Sequence, residues 1–147
     1  PDMITRIIPF LAILMVSFPA LSADVSIDML NKQGKEKMVF SKKIVYVDVG
    51  DTVSWNSKDK GHNVEFVRKK GVPKGVKKFK SRISKDTSYK FTIPGIYAYW
   101  CSPHKTLGMV GFVVVGKDKS NLAAIKKVKF AGKSKPCSET LENLIIP

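Results

Sequence analysis

Between Val25 and Val115 the chain is a succession of short runs of alternating apolar and polar residues, each closed by residues that favour tight reversals. VSIDML (25–30) alternates, and IVYVDV (44–49) does so with Val45, Val47 and Val49 on one face. VSWN, NVEFV, SYKFTI, IYAYWC and MVGFVVV follow. Successive side chains of an extended strand point to opposite faces, so a period of two buries one side of a sheet and never one side of a helix. The breaks carry Gly50-Asp51, Lys60-Gly61 and Pro94-Gly95, residue types suited to turns. Short β-branched and aromatic runs at this spacing predict an antiparallel sandwich or barrel and exclude a βαβ sheet. No internal repeat is visible.

The flanks read differently. MITRIIPFLAILMVSFPALSA (3–23) has an arginine near its start, an apolar run from Ile7 to Phe18, and small residues Ala20, Ser22 and Ala23. That is the layout of a secretory signal peptide. The run falls short of the roughly 20 residues a membrane span needs, and Pro9 and Pro19 bracket it. The expectation is a signal peptide over 1–23, cleaved near residues 22–23, and a mature domain over 24–147 in the periplasm; a retained anchor is the alternative. After Gly116, SNLAAIKKVKF carries a Ser or Asn cap and places Leu122, Ile125 and Val128 at helical spacing, which predicts a helix over about 120–131. SETLENLII has a capping-box-like start and a stripe of Leu141, Leu144 and Ile145, which predicts a second helix over about 138–146.

Charge bears on partners more than on fold. Lys and Arg number 26 against 12 Asp and Glu, a net charge of +14 that favours anionic surfaces: acidic protein patches, nucleic acid or lipid headgroups. The segment RKKGVPKGVKKFK (68–80) reads as a basic loop, too rich in Gly and Pro for a helix.

Chemistry concentrates in WCSPHKTLGM (100–109). Cys101 ends one strand and Met109 begins the next, so a short loop stiffened by Ser102-Pro103 can converge Cys101, His104 and Met109 on one point. The chain's other histidine, His62, opens a different strand in DKGHNVEF and could complete a His2Cys set. A trigonal His2Cys site with a weak, distant thioether is the arrangement of blue copper electron-transfer centres. Structural zinc normally takes four strong ligands, and a thioether is a poor fourth. A Cys–His nucleophile would need an orienting third residue and an oxyanion hole, and Asn63 adjoins His62 and not His104, so the chain does not read as an enzyme. Cys137 offers the thiol a competing use, a disulfide in an oxidising compartment. Taken singly, each of these residues would also be at home in a core.

The Cys101-x2-His104-x4-Met109 loop, GDTVSW upstream of it and DKGHNVE around His62 resemble the cupredoxins, the type 1 blue copper proteins. Plastocyanins share the loop spacing, but MLNKQGKEKMVF, KGHNVE and the tail after VVVG resemble another branch of the family more closely. The resemblance covers residues 24–146 or so. It implies an all-β fold, a Greek-key cupredoxin β-sandwich of about eight strands with a short two-helix C-terminal tail. It implies one copper ion, cycling Cu(I)/Cu(II), on His62, Cys101, His104 and Met109.

At matching positions, the resemblance implies that Asn63 ties its loop to Ser102 and aims its backbone N–H at the Cys101 sulfur, and that Met38 lies near the ring of His104. Trp100, next to the cysteine, is expected to face away from the metal and to pack. The resemblance further implies an electron shuttle between respiratory or denitrification partners, with His104 as the exit and lysines around it. Lys32, Lys35, Lys37, Lys58, Lys60 and Lys105 are the candidates. The implied partners are acidic redox surfaces, such as copper nitrite reductase or a c-type cytochrome, met transiently by a monomer. No motif supports nucleic-acid binding, and no stable membrane insertion is expected after cleavage. A non-redox periplasmic copper carrier or store is the alternative; Cys137 has no obvious role in a copper electron carrier of this type and is left as a free thiol, a bridge to another chain or a tolerated residue.

Overall fold

The computed structural model describes residues 12–18, 21–137 and 141. Eight strands form two four-stranded sheets. The first holds β1 (Asp24–Gln33), β2 (Glu36–Phe40), β4 (Thr52–Asn56) and β6 (Thr87–Lys90) in the order β2-β1-β4-β6. The second holds β3 (Ile44–Val47), β5 (Glu65–Phe66), β7 (Gly95–Trp100) and β8 (Val110–Val115) in the order β3-β8-β7-β5. Two of the pairings, β1 with β4 and β3 with β8, are parallel. The remaining pairings are antiparallel, as expected, and the two parallel ones arise where the chain crosses between sheets instead of returning beside itself. β2 is the strand the alternation did not single out: Lys32 and Gln33 pair with Lys37 and Glu36, so its first half is polar on both faces.

Burial follows the period of two. Between the sheets lie Ile27 and Met29 from β1, Val53 and Trp55 from β4, and Tyr97 and Tyr99 from β7, with Phe40, Phe66 and Phe91 beside them. Phe91 meets Tyr97 edge-on with ring centroids 4.8 Å apart, and Trp55 meets Tyr99 edge-on at 5.2 Å. Each such side chain taken from water contributes about 1.5–3 kcal/mol. β7 and β8 are buried on both faces, which explains their near-continuous apolar sequence. Their alternate residues Ile96, Ala98, Phe112 and Val114 meet a second cluster formed with Ile125, Val128, Phe130 and Leu141 from the tail. Val49, expected with Val45 and Val47, is 53% exposed because the chain turns away at Gly50, held left-handed at φ 97°.

The tail departs from expectation. Helix α1 spans only Leu122–Lys126, in place of 120–131. Val128 and Phe130 are both buried while Lys127, Lys129 and Ala131 are exposed, a period of two that no helix can satisfy, so the chain straightens to press both side chains onto the sheet. A 3-10 turn follows at Gly132–Ser134. Of the second expected helix, over 138–146, only residue 141 is described; Leu141 is helical and fully buried, and the rest lies outside the described residues. At the other end, residues 12–18 carry no regular structure and Leu14 and Phe18 are more than four-fifths exposed. Ala23 is bonded to the sandwich: its N–H donates to Asp51 Oδ1 and its carbonyl accepts from Thr52. No helix among the described residues is long and apolar enough to cross a membrane.

Candidate metal centre

Strand alternation decides where the cysteine points. Tyr97, Tyr99 and Cys101 follow one another inward, while Ile96, Ala98 and Trp100 follow one another outward. Cys101 is fully buried at the end of the inter-sheet core, and Trp100, as expected, turns to the opposite face. The loop that follows is closed at its base by Cys101 N–H donating to the Met109 carbonyl at 3.1 Å. It starts with a 3-10 turn at Ser102–His104, in which His104 N–H donates back to the Cys101 carbonyl. That turn folds the His104 ring over the sulfur.

His62, Cys101 and His104 bring their ligand atoms within 4.8 Å of one another. Cys101 Sγ lies 3.3 Å from His104 Nδ1 and 3.7 Å from His62 Nδ1, and the two Nδ1 atoms are 3.1 Å apart. His62 Nε2 sits 2.7 Å from Asn31 Oδ1, an acceptor that fixes the ring proton on Nε2 and leaves the Nδ1 lone pair facing inward. Two imidazole nitrogens and a thiol sulfur converge closely enough to share one cation, and their softness suits copper or zinc. Met109 is fully buried beside them in the core. The donor set therefore fits a type 1 copper ion. His62 and Cys101 are fully buried, and His104 is partly exposed.

Burial acts on the histidines and the thiol in opposite directions. Burial, then the neighbouring His104, holds His62 below the usual histidine range against the opposing pull of Asp59, and burial lowers His104 as well. Burial pushes the Cys101 thiol up, while backbone N–H groups of Asn63 and His104, bonded to its sulfur, pull the other way. Both rings are thus held in the neutral, metal-binding form, and the thiolate needs a cation to stabilise it.

Around this centre Asn63 and Ser102 bond reciprocally: Asn63 Nδ2 donates to Ser102 Oγ at 2.8 Å, and Ser102 N–H donates to Asn63 Oδ1 at 2.7 Å. Met38, left-handed at φ 53°, is half-buried against the core and shares a groove with Leu107 and Gly108. The two cysteines are free; Cys137 packs with the tail cluster, on the far side of the second sheet from Cys101. The lysines fall into two groups. Lys32 and Lys37 face each other across the β1–β2 hairpin with Lys35 near its tip, and Lys58 and Lys60 lie on the loop before His62, all exposed. Asn31 N–H donates to Asp59 Oδ2, which ties hairpin to loop. Lys105 instead places its ammonium 5.6 Å above the Trp100 ring.

Three contributors escaped the sequence reading. Asn31 supports His62 from a different strand, and nothing local marks it. Glu65 accepts from Trp100 Nε1 at 2.8 Å and Ser102 Oγ at 3.1 Å, joining both neighbours of Cys101. Its signal is faint but present, a lone acid at the start of the strand after His62. Ser134 reaches the ligand loop from the tail.

A family model described as copper binding proteins, plastocyanin/azurin family, matches residues 27–116. The chain belongs to this family of copper-binding proteins. Within it the likeness is to the pseudoazurins. Pseudoazurin of Paracoccus pantotrophus is 39% identical over 124 residues, covering 84% of this chain and 85% of that protein. Pseudoazurin of Methylorubrum extorquens is 38% identical over 114 residues, 77% of this chain and 76% of that one. The crystal structure of pseudoazurin from Methylobacterium extorquens AM1 superposes with a TM-score of 0.79 at 33% identity, covering 84% of this chain and 99% of that one. The fold is accordingly the Greek-key cupredoxin sandwich with a short helical tail.

Proposed function

We propose that the chain is an exported electron carrier that holds one copper ion on His62, Cys101, His104 and Met109. The observation that carries this reading is the convergence of both histidines of the chain and a buried thiol within 4.8 Å, with His104 alone of the three reaching solvent. Bound there, copper supplies a one-electron Cu(I)/Cu(II) couple. The protein's part is to keep water out with His62, Cys101 and Met109, and to leave the His104 edge as the point of electronic contact. Such a carrier performs no bond-making chemistry and is not an enzyme.

Partner docking falls to the lysines of the β1–β2 hairpin and the loop before His62, with Lys105. Exposed cations of one sign raise encounter rates with acidic surfaces while adding little affinity, as a carrier that must release each partner requires. Copper nitrite reductase or a c-type cytochrome fits that description. A leader over residues 1–23, cleaved near residues 22–23, and a periplasmic mature domain over 24–147 fit the exposed apolar residues 13–16 and 18. Voltammetry tests the carrier reading against a copper store. A reversible one-electron wave at one copper per chain is expected, and copper loss on reduction, or an irreversible wave, contradicts it.

A further inference from the structure

The loop carrying His104 and Met109 is held on three sides. Its base is closed by the Cys101–Met109 backbone bond, and its leading edge is held by Asn63 through Ser102. The third side is the tail. Ser134, fully buried in the 3-10 turn Gly132–Ser134, donates its hydroxyl proton to the Lys105 carbonyl at 2.7 Å and accepts the Gly108 N–H at 2.8 Å. Beside it Lys133 N–H donates to the Thr106 carbonyl at 2.8 Å. Gly108 is left-handed at φ 92°, the conformation that delivers its N–H to Ser134 Oγ. Gly132, at φ 59°, lets the tail backbone approach the Thr106 carbonyl so closely that a Cβ would sit 2.5 Å from its oxygen.

These bonds join every residue between His104 and Met109 except Leu107 to a segment that follows them by more than 20 positions. A tail that served only to cover the apolar outer face of β7 and β8 would need Ile125, Val128, Phe130 and Leu141, and no buried hydroxyl. A buried serine that both donates and accepts is costly to leave unpaired, so its placement is specific. We infer that Ser134 is a positioning residue for the metal centre: through Lys105 and Gly108 it fixes the spacing of His104 from Met109, and so the geometry in which copper changes oxidation state. This rests on the copper reading above.

The test compares S134A, which removes both bonds, with S134T, which keeps the hydroxyl, and with G132A, which strains the same turn from the other side. Amide hydrogen exchange of the metal-free protein reads the contact without copper. In S134A the Gly108 amide should exchange about tenfold faster or more, the loss of roughly one buried hydrogen bond, while amides of β7 and β8 keep their protection. Loaded with copper, S134A and G132A should lower the reduction potential and alter the thiolate-to-copper absorption, since a freer loop lets the ligands move toward the flatter arrangement Cu(II) prefers; S134T should restore the exchange rate and the potential. Unchanged Gly108 exchange in S134A overturns the contact. Faster exchange with unaltered potential and absorption in both S134A and G132A overturns the positioning role and leaves Ser134 a packing residue. If wild-type protein takes up copper without intense visible absorption, the copper reading itself fails, whatever the exchange data show.

Discussion

Glu65 lies opposite Trp100 in the β5–β7 ladder, and its carboxylate gathers the Trp100 indole N–H, the Ser102 hydroxyl and the Lys80 ammonium at 3.2 Å. Burial alone would raise this carboxyl, but the bonds from Trp100, Lys80 and Ser102 outweigh it and hold it below the ordinary carboxylate range. A carboxylate depressed in the folded state contributes stability that is complete above its unfolded pKa and is lost as pH falls through the folded one. Thermal unfolding of the metal-free protein should therefore place wild type above E65Q at pH 7, with the gap closing under acid. A gap that persists at low pH would assign Glu65 a packing role only. The partly exposed Lys80 pair adds little to it.

At the scale of elements, β7 and β8 show how strand pattern builds the site. Tyr99 faces Gly111 in the ladder and folds its ring over the bare Cα, where a Cβ would collide with the ring and hydroxyl. G111A should cost about 1–3 kcal/mol in denaturant unfolding, the usual scale of overpacking in a filled core. A loss under about 0.5 kcal/mol, the scale of an inconsequential surface change, would mean the ring moves freely. The pattern of two made most of the sandwich legible, including the inward Cys101 and outward Trp100, because alternation is a local property. β2 escaped because half of it is polar on both faces, and α1 was read too long because Leu122, Ile125 and Val128 satisfy a helical spacing that the Val128–Phe130 alternation contradicts. His62 and the ligand loop were legible from residue chemistry. Asn31, Glu65 and Ser134 were not, since each acts across the fold and is an ordinary polar residue in its own neighbourhood.

For the whole molecule, a net charge of +14 and clustered lysines on the β1–β2 hairpin predict how the protein meets its partners. Electron-transfer rates with an acidic redox protein should fall steeply as ionic strength rises, because the attraction between the lysines and the acidic surface is screened beyond about 8–10 Å at physiological salt. Reversing Lys35 and Lys37 to glutamate should slow association about tenfold at low salt and flatten that dependence, with the reduction potential nearly unchanged. A salt-independent rate would remove the hairpin from docking.

The central claim, that His62, Cys101, His104 and Met109 form a type 1 copper site, is tested most directly by the visible spectrum of the oxidised, copper-loaded protein. The account predicts intense thiolate-to-copper absorption that disappears in C101S. A colourless Cu(II) adduct, or a colour that survives in C101S, would contradict it.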